Sequence, residues 1–197
     1  MGLDLDAADS TLAGLRPFPV AVTTVSQGRT NGLISLSAGS GGIIREAPRV
    51  TISLTKFNFT HDLVKESGVF AMHLLAAAEE LLPVSLDILM TLGGRSGRDG
   101  DKMADLDRSP GVTGVPILSG ALAYVEGRVV GELGNEENTI FLADVVAARR
   151  LHEGPRLSVG AAWKALPATW TEAYERDHVH QTNAARRARG LPELASH

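Results

Sequence analysis

Cysteine is absent from this chain of 197 residues. Without a thiol the chain has no disulfide framework, no cysteine-ligated zinc or iron–sulfur site and no cysteine nucleophile. Its chemistry therefore rests on other groups.

An excess of basic residues is also missing, since 19 Lys and Arg stand against 23 Asp and Glu and the net charge is −4. General nucleic-acid binding needs a basic face, so this balance argues against it. Charges or glycines interrupt every apolar stretch before it reaches the ~20 residues of a membrane span. The N-terminus carries Asp4 and Asp6 where a signal peptide carries Lys or Arg, which predicts a cytoplasmic protein without a membrane partner.

Strand-like patterns dominate what is present. Segments with the alternation and the Val and Thr content of strands are 17–26, 31–38, 49–55, 69–75, 120–133 and 139–149. Helices are predicted at 60–68 with Thr60 as N-cap, at 77–90 with Pro83 kinking or starting a helix, at 102–106 and at 167–189. Regular strand–helix alternation is missing. The fold class is therefore mainly β with flanking helices, an antiparallel barrel or sandwich with a C-terminal helical extension.

The common sequence signatures of nucleotide, metal and hydrolase sites are not found. The glycines at 39–42 and 93–97 fit neither the dinucleotide fingerprint nor the phosphate loop of nucleotide hydrolases. His178 and His180 lie two apart in a predicted helix and point to different faces, so no metal site is predicted. A serine nucleophile elbow is also absent.

Polar residues do gather near the ends of two predicted strands. Ser35 and Ser37 share one face of the second strand, and Lys56, Asn58 and Thr60 follow the third. Thr60 lies at a predicted helix N-terminus, where free N–H groups favour an anion. Solvated turn residues with a capping threonine are the alternative. Together with Arg98 and Lys102, the residues favour a site for a phosphate-bearing cofactor.

These residues belong to a longer ordered series in which the chain resembles the flavin reductase-like domain family. The resemblance covers residues 12–150 in the right order. It is carried by Arg16, Pro17, Pro19 and Val20; Thr23 and Thr24; Gly28; Asn31, Gly32, Leu33 and Ser35; Pro48 and Val50; Lys56, Thr60, His61 and Leu63; Ser67, Gly68, Phe70, Ala71 and Leu74; Ser96, Gly97, Arg98, Asp99, Asp101 and Lys102; Pro116 and Leu118; Phe141, Leu142 and Val145.

The resemblance implies an FMN-binding split β-barrel, with FAD as a possible alternative, and a homodimer with flavin sites at or near the subunit interface. It further implies that NADH or NADPH passes a hydride to flavin N5, often for a partner monooxygenase. Residues Asn31, Gly32, Leu33, Ser35, Leu36 and Ser37 would lie along the ring and ribityl chain. Ser53, Lys56, Asn58 and Thr60 would hold ribityl and phosphate, with Ser96 and Arg98 as further phosphate contacts.

One departure from the family pattern weakens the expectation of nicotinamide use. Many members carry Gly-Asp-His before the last barrel strand, whereas this chain has Glu136, Glu137 and Asn138. The two carboxylates would repel a phosphate-rich second substrate if they faced the flavin. An electron-transfer module, or a flavoenzyme acting directly on a small organic substrate, are the alternatives to a flavin reductase.

The segment 151–197, a linker and helical extension, lies outside the matched region. Trp163, Trp170, Tyr174 and His178 are spaced by seven, four and four residues, which places them on roughly one helical face. Packing of this face on the barrel is one interpretation. The other is a lid over its own or the partner's flavin, with Tyr174 or His178 near the ring as the only candidate catalytic side chains.

Overall fold

A computed structural model of the chain describes residues 2–98 and 100–195; Asp99 of the family motif and the end of the predicted extension lie outside the described residues. A seven-stranded antiparallel sheet runs in the order β2-β1-β5-β8-β9-β4-β3, and β6 pairs with β7 separately. The strands are β1 Val20–Ser26, β2 Arg29–Ser35, β3 Ala38–Ser40, β4 Arg49–Thr55, β5 Val69–Leu74, β6 Arg108–Pro110, β7 Pro116–Leu118, β8 Ala123–Gly134 and β9 Asn138–Arg150.

The sheet curls because its two edge strands are almost adjacent in sequence. Strands β2 and β3 lie at opposite edges of the sheet, yet only Leu36 and Ser37 separate them along the chain. Since a residue spans at most ~3.6 Å, this connection holds the two edges close together. The mainly β split barrel with flanking helices and a C-terminal helix is confirmed.

The helices differ more from prediction than the strands. They are α1 Leu5–Gly14, α2 Phe59–Ser67, α3 Leu82–Gly94, α4 Val159–Ala165 and α5 Ala168–Ala188. Helix α2 has Asn58 at its N-cap, so the prediction of Thr60 as N-cap is wrong, while Gly68 ends the helix at φ 68° as expected. Pro83 starts α3 rather than kinking a longer helix, because its missing N–H is not needed in the first turn. The helix predicted at 102–106 is a series of turns.

Two apolar clusters lie on opposite faces of the sheet. Phe70, Ile52 and Phe141 lie in the barrel interior, whereas Leu75 packs on the outer face with residues of α3. Leu157, Ala162, Leu166 and Trp170 join this outer cluster, so the C-terminal extension packs on the barrel through its first half. A domain boundary at residue 150 stays a prediction. Among the described helices none is long and apolar enough to cross a membrane.

His73 is a buried polar link between three strands. Its side chain is 0% exposed; Nδ1 lies 3.1 Å from the carbonyl oxygen of Ala21 on β1, and Leu118 N–H of β7 donates to Nε2 at 3.2 Å. Because Nε2 accepts, Nδ1 carries the proton and the ring is neutral. Burial lowers the pKa of His73 to about 4, against the opposing effects of the Ala21 hydrogen bond and of Glu126.

Candidate active site

A cavity of about 240 Å³, the polar cavity, opens beside the start of the second strand. Its walls are residues 31–34 of β2, residues 57–60 at the start of α2, residues 92–98 with Lys102 after α3, and three side chains of α5. These segments are distant in sequence and meet because α2 and α3 both pack on the β1–β2 hairpin. Ligand pockets are typically ~300–1,000 Å³, so this cavity suits part of a cofactor rather than all of it.

Asn31 forms the floor of the polar cavity and is 1% exposed. Its Nδ2 donates to Thr60 Oγ1 at 3.1 Å, while Oδ1 receives no hydrogen bond from the residues that the structure describes. A buried carbonyl oxygen without a donor is uncommon in proteins and costs free energy. The amide therefore fits a ligand that brings a hydrogen-bond donor, such as a hydroxyl or an imide N–H.

The loop at Gly97 lies directly against Asn31. A Cβ atom at Gly97 would lie 2.2 Å from Asn31 Oδ1, which is far shorter than any ordinary contact. Glycine at this position therefore allows the loop to pack on the buried amide.

The N-terminus of α2 supplies donors for an anion. Within the described ranges no side chain accepts a hydrogen bond from its first turn, and Asn58 Nδ2 donates to Thr55 Oγ1 at 2.7 Å. The Arg98 guanidinium lies 5.3 Å from the Phe59 ring centroid and 3.2 Å from Asp62 Oδ2. Ser96 Oγ accepts from Arg98 N–H at 3.2 Å. A helix N-terminus, a hydroxyl and a guanidinium together suit a phosphate group.

Lys102 lines the polar cavity and hydrogen-bonds to backbone carbonyl groups at the C-terminal end of α3. Its Nζ donates to the carbonyl oxygens of Leu92 at 3.0 Å and Arg95 at 2.7 Å, which occupies two of its three protons. Burial lowers the pKa of Lys102 to about 8. The side chain remains a cation at neutral pH and adds positive charge to this wall.

Helix α5 forms the remaining wall with Tyr174, Asp177 and Gln181. Tyr174 lines the polar cavity, while the lid interpretation stays a prediction, and Asp177 and Gln181 were missed. Asp177 follows Tyr174 by three residues and Gln181 follows Asp177 by four, a spacing that repeats on one helical face, so periodicity was the available signal. Arg95, Phe57 and Phe59 also line the cavity and were missed, because no local sequence pattern predicts that a residue beside a helix end lines a cavity.

The sequence-predicted site residues divide into two groups. The polar cavity brings together Asn31, Gly32, Leu33, Asn58, Thr60, Ser96, Arg98 and Tyr174. The other predicted residues lie outside this cavity. Ser35 Oγ accepts a hydrogen bond from Ser37 N–H, and the Ser37 carbonyl accepts one from Ser53 N–H. Lys56 donates to the Asn135 carbonyl, Leu36 lines a second concavity, and the His178 ring stacks on Tyr174. The binding roles of both groups remain predictions.

The second concavity, the apolar groove, measures about 530 Å³. Leu36, Met72 and Val145 line it, and three arginines, Arg16, Arg49 and Arg156, border it. Arg156 lies 4.0 Å above the ring centroid of Phe18, which also lines the groove.

Known proteins resemble this chain over most of its length. The model of the flavin reductase like domain family matches residues 14–171. A ferric-chelate reductase (NAD(P)H) of Archaeoglobus fulgidus is 29% identical over 138 residues, which are 70% of this chain and 78% of that protein. FMN reductase (NADH) SmoA of Agrobacterium fabrum is 27% identical over 76% of this chain and 80% of its own length.

Among solved structures, an FMN-binding protein from Thermus thermophilus with bound 1-cyclohex-2-enone superimposes with a TM-score of 0.58 at 26% identity. The match covers 68% of this chain and 71% of that chain.

Proposed function

Because the chain belongs to the flavin reductase like domain family, we propose that it binds FMN and acts as an NAD(P)H-dependent flavin reductase. The observation that carries this proposal is the buried Asn31 Oδ1, which lacks a donor among the described residues and lies beside the anion-binding start of α2. A flavin mononucleotide brings both a phosphate and hydrogen-bond donors. The two named reductases that the chain resembles support the same activity.

The residues of the polar cavity would each bind a part of FMN. The N–H groups at the start of α2, the Thr60 hydroxyl, Ser96 and Arg98 would hold the phosphate, because a dianion is stabilised by cations and oriented donors. The cavity is too small for the whole cofactor, so the ring would extend along β2 toward Ser35, Leu36 and Ser37. Ser53 and Lys56 would border that extension from β4 and the residue after it.

Bound FMN would supply the redox chemistry by accepting a hydride at N5 from NADH or NADPH, which gives NAD(P)⁺ and, with a solvent proton, reduced flavin. The chain has to position the flavin and admit the nicotinamide. Glu136 and Glu137 were expected to repel that substrate if they faced the flavin, and Arg189 Nη1, which lies 3.8 Å from Glu137 Oε1, offsets part of the charge of Glu137. This pairing supports nicotinamide use.

An anaerobic titration tests the proposal. The protein is loaded with FMN, and NADH or NADPH is added while the visible flavin absorbance is followed. We expect at least one of the two to bleach the flavin to the extent that dithionite does. Bleaching by dithionite alone would overturn the reductase and favour the electron-transfer module, and failure to bind FMN would overturn both.

Reduced FMN would then pass to a partner monooxygenase, as the resemblance implies. A second candidate function is reduction of a small organic substrate, which is favoured by the cyclohexenone bound to the Thermus protein. Oxidation of the NADH-reduced protein by cyclohexenone under anaerobic conditions would distinguish this second activity from release of reduced FMN.

We further propose a homodimer in which the apolar groove receives helix α1 of a second copy. Every residue of α1 is at least partly exposed, with Leu5 at 71% and Leu12 at 53%. A ten-residue helix is marginally stable unless its apolar side packs on something. Asp4, Asp6 and Asp9 make this segment acidic, which complements the three arginines bordering the groove.

Replacing Leu36 by lysine in the apolar groove is expected to raise the dimer dissociation constant at least about tenfold, because it places an unpaired charge in an apolar contact. Sedimentation velocity over a protein concentration series measures this shift. Val112→Lys is the matched control, since Val112 is 75% exposed on a turn outside the groove. A wild-type chain that sediments as a monomer, or equal effects of the two lysines, would contradict the dimer.

A further inference from the structure

We infer that α5 completes the cofactor site of its own chain, and that the Tyr174 hydroxyl with Asp177 and Gln181 recognises the polyol chain of the flavin. This inference rests on the proposed function, since it requires that a flavin binds in the polar cavity. It assigns the C-terminal extension a role in binding that goes beyond packing.

Both ends of α5 are held to the rest of the chain. Near its start Trp170 packs against the end of α3, where a Cβ at Gly94 would lie 2.6 Å from Trp170 Nε1. At its other end Arg189 pairs with Glu137 in the turn between β8 and β9. Since a helix of 21 residues is about 30 Å long, these contacts hold its middle turns beside the polar cavity.

The middle turns present one polar face to the cavity. Tyr174, Asp177 and Gln181 are spaced by three and four residues, so they lie on the same side of the helix, and all three line the cavity. Asn31, with its unbonded Oδ1, also lines it. The cavity therefore has polar groups from both the barrel and α5.

Tyr174 contributes a hydroxyl rather than an aromatic face. The Trp170 ring stacks on it with centroids 5.1 Å apart at 19°, and the His178 ring stacks on it at 6.1 Å and 10°. Because Trp170 and His178 lie four residues before and after Tyr174 on α5, their rings flank the phenol on opposite sides along the helix. Stacking of Tyr174 on a flavin ring would require one of them to leave. Burial raises the pKa of Tyr174, so the phenol keeps its proton and can donate it.

The donors and acceptors of this face match a polyol. Each hydroxyl of a ribityl chain both donates and accepts one or more hydrogen bonds, so it satisfies the Asn31 and Asp177 oxygens as donor and the Tyr174 hydroxyl as acceptor. Gln181 offers both kinds of group. The Asp177 carboxylate disfavours a phosphate beside α5, which is consistent with placing the phosphate at Arg98 and the α2 N-terminus across the cavity.

The experiment compares three flavins that differ in these parts: FMN, riboflavin, which lacks the phosphate, and lumiflavin, which lacks the polyol as well. Dissociation constants are measured from flavin fluorescence with the wild type, Tyr174→Phe and Gln181→Ala. Tyr174→Phe keeps the stacked rings and removes only the hydroxyl. We expect it to weaken FMN and riboflavin alike by about five- to tenfold and to leave lumiflavin unchanged.

Two further variants separate the parts of the site. His180→Ala, a truncation next to Gln181 at a position that does not line the cavity, is expected to leave all three constants unchanged. Arg98→Ala is expected to weaken FMN but not riboflavin, because its partner is the phosphate.

The possible outcomes are distinct. Equal losses for lumiflavin and riboflavin in Tyr174→Phe, or no loss for any flavin, would overturn polyol recognition by α5 while leaving FMN binding intact. A wild-type chain that binds none of the three would overturn the proposed function itself. Tryptophan bands in the near-ultraviolet circular dichroism spectrum that match the wild type would show that Trp163 and Trp170 keep their packing in Tyr174→Phe.

Discussion

Replacing Gly97 by alanine is expected to raise the dissociation constant of FMN by about a hundredfold, equivalent to ~2.7 kcal/mol. The new Cβ would lie 2.2 Å from Asn31 Oδ1 and 2.6 Å from Asn31 Cγ. Asn31 is buried and bonded to Thr60, so it has no room to withdraw. The loop must move outward instead, which displaces Ser96 and Arg98 from the start of α2. Relief of such overpacking commonly costs ~1–3 kcal/mol.

The same loop offers a matched control in Gly100→Ala, where the added Cβ meets nothing within 4 Å among the described residues. Fluorescence titration of FMN should show wild-type affinity for Gly100→Ala, and thermal unfolding should show that only Gly97→Ala is less stable than the wild type, by about 1–3 kcal/mol. Wild-type FMN affinity in Gly97→Ala would contradict the placement of the cofactor in the polar cavity.

Acidification from pH 7.5 to pH 5 is expected to lower the free energy of unfolding by about 2 kcal/mol through His73 alone, and by about 3 kcal/mol below pH 4. The folded protein holds this ring neutral with a pKa near 4, whereas the unfolded chain titrates near the ordinary value of 6.5. Between these values the unfolded state binds more protons, so stability falls as the pH falls. Urea unfolding at a series of pH values measures the slope.

Two observations isolate the contribution of His73. The variant His73→Gln should be less stable than the wild type at pH 7.5 but lose less stability between pH 7.5 and 5. If this variant does not fold, the proton NMR signals of the His73 ring in the wild type provide the measure, since they should not titrate above pH 5. Titration of that ring near pH 6.5 in the folded protein would contradict the prediction.

Most strands could be predicted because their pattern is local. Alternating side chains and turn residues placed 49–55 at its observed bounds and the first hairpin within a few residues. Short pairs such as β6 with β7 were not predicted, since three residues carry too little periodicity and their pairing depends on packing. Helix α1 was not predicted although Asp4 caps its N-terminus. None of its residues is buried, so it lacks the apolar periodicity by which a helix is identified in a sequence.

The candidate site was predictable in part. Asn31, Thr60 and Arg98 were identified through the ordered family motif, and the polar cavity brings them together. Asp177 and Gln181 were not identified, because their relevance depends on where α5 docks. That docking follows from the contact of Trp170 with Gly94, two residues 76 positions apart in sequence.

By itself the sequence determined the absence of thiol chemistry, the mainly β architecture and the family. Composition, alternation and motif order depend only on which residues follow one another along the chain. Only the tertiary structure decided that Leu36 and Ser37 connect the two opposite edges of the sheet, and that the Trp170 and His178 rings flank Tyr174. These features arise from contacts between distant segments. The sequence predicted Trp163, Trp170, Tyr174 and His178 on one helical face, whereas packing places Trp163 on α4 and the other three on α5, where Tyr174 lines the polar cavity.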